Sequence, residues 1–256
     1  MHITLPLAAI LLGLPLAAQA EHYVVRTMGQ ESLPPKWMLR DSRPEGLCPD
    51  ILAAMEKAEP HLKFTGQDDF RSVPQIEQGL ESGSVGAACA LLDSERRRKV
   101  AFMSSKLYTV RHRLAAAIGD KASVESIDEL VRLRPLITTS RGAAYSDQLR
   151  VLGLEVDDST SDNLTNLKKI LAGHGRFVYM NELTLAWIIR ENKLSDKVRL
   201  LPAVLKEEPI FFWISKKADP GAMRLMNSAL QKLRASGELA RIYERWSNER
   251  AAPLPN

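Results

Sequence analysis

Residues 85–92 read VGAACALL, an unbroken run of small and branched apolar side chains. A strand of this kind fits a sheet that is covered on both faces, whereas a half-exposed strand alternates polar and apolar residues. Val73, Ile76 and Leu80 precede the run at helical spacing, and Gly83 ends that pattern. The stretch therefore predicts a helix followed by a buried strand, which is the repeating unit of an α/β protein.

The rest of the chain continues this alternation of helix and strand patterns. Helical spacing predicts further helices at residues 51–58, from 126 onward, from 142 to about 153, and at 164–171, 183–189, 223–233 and 239–246. Apolar runs predict strands at residues 24–28, 114–118, 136–138, 177–180, 198–201 and 210–214. We expect an α/β fold with largely parallel sheets, and the sequence has no internal repeat or low-complexity linker.

The N-terminus has the layout of a secretory signal peptide. Ile3–Ala18 is an uncharged apolar run, and the small-x-small pattern Ala18–Ala20 stands before a charged residue. We expect cleavage after Ala20 and export from the cytoplasm. The run is short for a membrane span and is interrupted by Pro6 and Pro15. No Lys or Arg precedes it, so an uncleaved anchor or a misassigned start is the alternative.

Composition is ordinary for a globular protein, with 45% hydrophobic and 26% charged residues and a formal net charge of +4. Acidic and basic residues are interspersed, and the densest basic run, Arg96–Lys99, is only four residues long. We therefore expect no nucleic-acid partner. A mildly basic surface would instead attract anionic ligands.

Common enzyme motifs are absent. The sequence has no Gly-x-Ser-x-Gly, no Gly-x-Gly-x-x-Gly and no phosphate-binding P-loop, and its five histidines are scattered without metal-ligand spacing. These absences do not exclude an enzyme, but they remove the common reasons to propose one. We expect that the protein is not an enzyme and that it has neither cofactor nor metal.

Five short motifs follow one another between residues 23 and 247. They are Pro34-Pro35-Lys36-Trp37, Gly46–Ile51, Ser94-Glu95-Arg96 with Val100-Ala101-Phe102, Leu171–Arg176 and Gly237–Trp246. In this order and spacing they resemble family 3 of the bacterial extracellular solute-binding proteins, the amino-acid-binding class of ABC transporters.

The resemblance implies a type 2 periplasmic binding fold, in which two interleaved α/β lobes are joined by two crossing strands. Lobe one would comprise residues 21–110 plus 211–256, and lobe two residues 111–210. The lobes would close on a small polar solute, such as an amino acid, by hinge motion. The partners would be a membrane permease or a sensor, and the protein would be a monomer. Two alternatives stay open: a dehydratase-like enzyme with Glu182 as general acid, and a sensing domain without a transport role.

In lobe one the resemblance assigns two ligand-binding residues. Arg96 corresponds to the arginine that binds a ligand carboxylate, for which the planar guanidinium is suited. The alternative is a solvated basic face shared with its three neighbours. Trp37 either stacks on the ligand or packs on the core as a loop residue.

In lobe two the resemblance points to two short segments. Arg141, Gly142 and Tyr145 belong to a turn between a strand and a helix, which would present backbone N–H groups to an anion. The alternative is a plain tight turn. Asn181 and Glu182 fall near the family's acidic residue that binds the ligand ammonium, and either could serve.

One segment departs from the family pattern. The strand before Arg96 reads Cys89-Ala90-Leu91-Leu92-Asp93, without the hydroxyl residues that help to hold a carboxylate in amino-acid binders. Asp93 would in addition repel an anion. The ligand need not be an ordinary amino acid.

Cys48 and Cys89 are the two cysteines of the chain. Cys48 stands just before the first helix and Cys89 late in the strand of residues 85–92. Strand ends and the following helix starts meet at one edge of a parallel sheet, and an exported protein folds in an oxidising compartment. We therefore predict a Cys48–Cys89 disulfide, with two buried thiols as the alternative.

Overall fold

The structure is a computed structural model that describes residues 22–248. The expected signal peptide, residues 1–20, lies outside the described residues. The strands are β1 Tyr23–Arg26, β2 Gly29–Gln30, β3 Met38–Arg40, β4 Arg43–Glu45, β5 Leu62–Thr65, β6 Phe70–Arg71, β7 Ala87–Leu92, β8 Ala101–Ala117, β9 Ile137–Ser140, β10 Val156–Thr160, β11 Phe177–Asn181, β12 Val198–Leu200 and β13 Lys206–Ser215. The helices are α1 Leu47–Ala58, α2 Val73–Ser82, α3 Glu95–Val100, α4 Ile127–Leu133, α5 Ala144–Val151, α6 Asn163–Leu171, α7 Glu182–Glu191, α8 Pro220–Ala235 and α9 Glu238–Asn248.

The α/β fold predicted from the sequence is confirmed, and local sequence signals explain where several helices begin and end. α2 ends at Gly83, whose φ of 82° is left-handed. Ser126 caps α4 by accepting a hydrogen bond from the Glu129 N–H. Asp219 caps α8 by accepting hydrogen bonds from two backbone N–H groups of its first turn.

The sheets are mixed rather than largely parallel. β1 pairs in parallel with β5, and β9 pairs in parallel with both β10 and β11. β8, however, pairs antiparallel with β11, β12 and β13, and β13 pairs antiparallel with β7. The expectation of largely parallel sheets is therefore wrong at the centre of the molecule, because two long antiparallel strands run through it.

These two strands, β8 and β13, form the longest ladder of the fold. It extends from the pair Ala101–Ser215 to the pair His112–Lys206. With 17 residues, β8 spans about 55 Å at the usual rise per residue. We call the elements before β8 the β7 side and those between β8 and β13 the β11 side. α8 and α9 pack against α1 and so join the β7 side.

The ladder corresponds to the crossing strands that the sequence motifs imply. The division into lobes of residues 21–110 plus 211–256 and residues 111–210 stays a prediction. β7 pairs with one end of the ladder, and β11 and β12 pair with the other end. This pairing supports the proposed division.

The core includes the buried residues of β13 and the inward faces of helices such as α9. Phe212 and Trp213 are 0% exposed. In α9, Leu239, Ile242 and Trp246 turn one face inward, as their spacing predicts. Among residues 22–248, none of the helices combines the length and apolar character that a membrane crossing requires.

The predicted disulfide is confirmed. Cys48, in the first turn of α1, is bonded to Cys89 in β7, with 5.9 Å between their Cα atoms. Both residues are buried, at 0% and 3% exposure. The bond therefore ties the first turn of α1 to β7.

Candidate functional site

A cavity lies between the β7 side and the β11 side, beside the β8–β13 ladder. The empty space there measures about 430 Å³, a volume that includes open solvent at the mouth of the cavity. Its polar wall consists of Gln30, Lys36, Arg97, His112, Tyr145 and Asn181. Its apolar wall consists of Leu33, Val73, Ala90, Leu91, Leu92, Val110, Ala143, Ala144 and Ile210.

Lys36 is a buried cation in this wall, with 7% of its surface exposed. Its Nζ donates hydrogen bonds to Gln30 Oε1 at 2.6 Å and to the Ala90 carbonyl oxygen at 2.7 Å. Burial, and secondly the nearby Arg97 guanidinium, hold the pKa of Lys36 well below its usual value. The Lys36 carbonyl accepts the Cys48 N–H at 3.1 Å, so the disulfide-bonded helix start fixes the lysine's backbone.

Ala90 has an uncommon backbone conformation for a residue with a side chain. Its φ is 60°, in the left-handed region. The next residue toward the N-terminus is the disulfide-bonded Cys89, and the Ala90 carbonyl receives the Lys36 hydrogen bond. Backbone strain of this kind persists where the surroundings over-determine it, often at functional sites.

Arg97 is the second buried cation, at 1% exposure. Its Nη2 donates to Glu77 Oε1 at 2.8 Å, and its Nη1 donates to the Leu92 carbonyl oxygen. The guanidinium carbon also lies 5.4 Å from the centre of the Trp213 ring. Its Nε has no hydrogen-bond partner in the described part of the chain. A buried N–H without an acceptor is costly, so the site gains from an acceptor brought by a ligand.

His112 and Glu208 support the opposite wall from β8 and β13. His112 Nδ1 lies 3.2 Å from Glu208 Oε2, without the alignment of a hydrogen bond. Gln148 and Lys206 both approach Glu208 Oε1, at 2.9 and 2.8 Å. Burial raises the pKa of Glu208, but the contacts with His112, Lys206 and Gln148 outweigh it and lower the pKa to about 2. Glu208 is therefore an anion across the ordinary pH range.

Tyr145 packs on this group, with its ring centre 5.1 Å from that of His112 and 5.7 Å from that of Tyr179. Burial raises the pKa of Tyr145 to about 12. Its phenol is therefore neutral, and it can donate or accept a hydrogen bond in the cavity.

Two helices of the β11 side direct their N-termini toward the cavity. Ala143, Ala144 and Tyr145, at the start of α5, line it. Asn181 also lines it and caps α7 by accepting the Thr184 N–H at 2.9 Å. The first N–H groups of a helix lack intrahelical acceptors and carry partial positive charge. This wall therefore favours an anion.

Two of the site residues inferred from the sequence, Tyr145 and Asn181, line the cavity. Gly142 lies beside it, with φ 70° and with Pro74 so close that a Cβ would meet Pro74 Cδ at 2.7 Å. Only glycine fits at this position, where the β11 side at residue 142 approaches Pro74 of the β7 side. Its carbonyl oxygen accepts a hydrogen bond from Arg96 Nη2 at 3.1 Å.

The other predicted residues do not line the cavity. The Arg96 side chain is half exposed and donates to Glu77 as well as to Gly142. Trp37 is 2% exposed and packs edge-to-face on Phe70. This placement matches the second of the two roles considered for Trp37, packing on the core. Arg141 donates to the Ser159 carbonyl oxygen. Glu182 is paired with Arg111 and Arg113. Their roles in ligand binding stay predictions.

Lys36 and Arg97 are the charged wall residues that sequence reasoning missed. Ser94 caps α3 by accepting the Arg97 N–H at 3.2 Å, so Arg97 is the third residue of that helix. It stands three positions before the apolar Val100 and shares a helix face with it. That spacing indicates that Arg97, rather than Arg96, lies on the inward face of α3. A loop lysine such as Lys36 gives no such signal, because its burial depends on contacts with Gln30 and Ala90 that only the fold creates.

Comparisons with solved structures show the fold. A histidine kinase sensor domain with similarity to periplasmic binding proteins covers 89% of this chain and 97% of its own, at 17% identity and a TM-score of 0.75. The arginine-, lysine-, histidine-binding protein of Geobacillus stearothermophilus covers 88% and 95%, at 15% identity and a TM-score of 0.69. An ancestral amino acid-binding protein, a precursor of cyclohexadienyl dehydratase, covers 87% and 95%, at 18% identity and a TM-score of 0.68.

The type 2 periplasmic binding fold is therefore the fold of this chain. The comparison of this chain with curated proteins found no match. Residues 25–249 match the family described as bacterial extracellular solute-binding proteins, family 3. This match spans most of the chain, and the protein belongs to that family.

Proposed function

We propose that this protein is a periplasmic solute-binding protein that captures a small polar solute and presents it to a membrane transporter or sensor. The observation that supports this most directly is the two-sided cavity wall. Lys36 and Arg97 reach it from the β7 side, and Tyr145 and Asn181 from the β11 side. A ligand that contacts both sides stabilises their closed arrangement.

Binding rather than catalysis fits the placement of Glu182, the residue that a dehydratase-like mechanism would use as general acid. Arg111 and Arg113 neutralise its carboxylate, and it does not line the cavity. A general acid must reach the proton acceptor within hydrogen-bond distance. The polar groups that do line the cavity are suited to holding a solute in place.

Filling the cavity tests this proposal. Ala143 lines it with an ordinary φ of −66°, so Ala143→Trp occupies the space without backbone strain. Val151→Trp is the matched control, because Val151 in the same helix is 87% exposed. Mass spectrometry of the purified protein, with a thermal-shift panel of amino acids, amines and organic acids, identifies the ligand.

At 100 times its Kd, the ligand should raise the Tm of the wild type and of Val151→Trp by about 5–10 °C. Ala143→Trp should fold but show no shift. A flat panel together with no co-purified ligand would contradict the proposal, and so would an equal shift in Ala143→Trp.

A further inference from the structure

The charged groups in the cavity wall are all of one sign. Lys36 and Arg97 are cations, and none of the described residues that line the cavity is Asp or Glu. The remaining polar wall groups, on Gln30, His112, Tyr145 and Asn181, are amide, imidazole and phenol. Together with the α5 N-terminus, this wall complements negative charge.

Lys36 in particular lacks a counter-ion. Within residues 22–248 no carboxylate lies within ion-pair distance of its Nζ, and its two hydrogen bonds go to neutral oxygens. In its protonated form Lys36 has three donors, and one of them remains for a ligand. Burying an unpaired charge is costly. An anion beside Lys36 would remove that cost.

A cationic ligand group, by contrast, would find no Asp or Glu among the described residues that line the cavity. Behind the wall, Glu77 accepts from Arg96 and Arg97. Glu208 accepts at Oε1 from Lys206 and Gln148, and its Oε2 lies 3.2 Å from His112 Nδ1. Asp93, which seemed able to repel an anion, is paired with Arg98 and does not line the cavity. A ligand ammonium would therefore face Lys36 and Arg97 uncompensated.

From this arrangement we infer that the ligand is a small organic acid that carries a carboxylate but no amine, so that the site selects against amino acids. The carboxylate binds Lys36 Nζ and Arg97 Nε on the β7 side. The short carbon chain lies on Leu91, Leu92 and Ile210, and a second polar group reaches Tyr145 or Asn181. The inference rests on the proposed function and specifies its ligand class.

Matched ligand pairs test the inference by calorimetry on the mature protein after removal of any co-purified ligand. Each pair shares a carbon skeleton and differs in the amine: pyruvate and L-lactate against L-alanine, and 2-oxoglutarate against L-glutamate. At least one acid should bind 10-fold or more tightly than its amino-acid counterpart. If the amino acids bind as tightly or more tightly, the ligand class is wrong while the solute-binding function stands. If neither acids nor amino acids bind, and a broad solute panel is also flat, the solute-binding function fails as well.

Lys36→Met provides a second readout, because methionine keeps the length of the side chain and removes the charge. The variant should fold and should raise the Kd of the acid about 100-fold. Lys57→Met, an exposed position in the last turn of α1, should leave the Kd unchanged. An unchanged Kd in Lys36→Met would overturn the inference.

Proton uptake distinguishes charge pairing from loss of packing. The other titratable groups around the cavity are Arg97, which is paired with Glu77 on the same side as Lys36, and, on the opposite wall, Tyr145 and His112 beside Glu208. A bound carboxylate raises the pKa of Lys36 from its lowered value, so binding takes up protons and weakens as the pH rises through that lowered pKa. Calorimetry in two buffers of different ionisation enthalpy should show this uptake in the wild type and its loss in Lys36→Met. Equal uptake in both proteins would assign the proton to another group and overturn the role of Lys36.

Discussion

Ser32 and Asn163 are joined by two hydrogen bonds that bridge the β7 side and the β11 side. The Ser32 hydroxyl accepts the backbone N–H of Asn163 at 2.8 Å, and the Asn163 side-chain amide donates to the Ser32 carbonyl oxygen at 2.7 Å. Arg96 and Gly142 form a second bridge, at 3.1 Å. The two sides are therefore held closed by contacts of the chain itself, in addition to any contact through a ligand.

Ser32→Ala should weaken ligand binding without touching the cavity. The variant loses the hydroxyl acceptor, and a hydrogen bond contributes about 0.5–1.5 kcal/mol net. We expect the Kd to rise about 3- to 10-fold, mainly through faster dissociation, as stopped-flow measurement would show. Ser123→Ala, at an exposed site, is the control. An unchanged dissociation rate would show that this bridge does not stabilise closure.

Removing the disulfide should destabilise the fold and the Lys36 site together. Cys48 and Cys89 are separated by 41 positions, and a closed loop of this length contributes about 3–4 kcal/mol in the chain-entropy model. The Cys48→Ala/Cys89→Ala variant should lose about that free energy of unfolding. It should also bind ligand more weakly, because the disulfide no longer holds in place the helix start whose backbone N–H at position 48 donates to the Lys36 carbonyl. Denaturant unfolding with and without reductant provides the measurement. In reductant, the free energy of unfolding of the wild type should fall toward that of the variant. A wild-type value that is the same with and without reductant would refute the prediction.

Glu208 should make stability depend on pH in the acid range. Its pKa is about 2 in the folded protein, below the usual value of about 4.3 in an unfolded chain. Its stabilising contribution is therefore present above that unfolded value and is lost as the pH falls toward 2. The size of this contribution is about 2–3 kcal/mol, since one pKa unit corresponds to about 1.4 kcal/mol.

Denaturant unfolding between pH 6 and pH 2 tests this prediction. Glu208→Gln should be less stable than the wild type at pH 6, and the two curves should converge as the pH falls. Glu155→Gln, an exposed position on the β11 side, should keep the wild-type slope. Parallel curves for wild type and Glu208→Gln would contradict the assigned contribution.

Sequence periodicity predicted the elements whose apolar residues face a covered core. The run of residues 85–92 contains β7, Ala87–Leu92, and the spacing of Leu239, Ile242 and Trp246 gave α9. It predicted only the last residues of β8, because Phe102 and Met103 are exposed near its other end and the strand there depends on pairing with β13. The parallel-sheet expectation failed for the same reason, since strand direction is set by a partner about 100 positions away.

The site was predicted less completely than the fold. Residue type alone indicates a helix start such as Asn181, since Asn is a preferred N-cap residue. It also indicates a turn such as that at Gly142, since Gly readily adopts a positive φ. Residue type does not identify the buried cation: Arg96 and Arg97 are adjacent and chemically identical, and only the packing of α3 against Glu77 and Trp213 buries Arg97.

The last prediction separates these two arginines. Arg97→Met should raise the Kd about 100-fold and cost about 3–5 kcal/mol of stability, because it removes one partner of a buried ion pair. Arg96→Met should cost less than about 1 kcal/mol, since the side chain is half exposed. It should raise the Kd no more than about 10-fold, through the lost bridge to Gly142. The double variant Glu77→Gln/Arg97→Met also removes the buried carboxylate that has lost one of its two arginine partners, so it should regain part of the stability but none of the affinity. Calorimetry and denaturant unfolding on the four proteins decide the matter. If Arg96→Met abolishes binding and Arg97→Met does not, the arginine that the sequence motif indicated holds the ligand, and Arg97 has only a structural role.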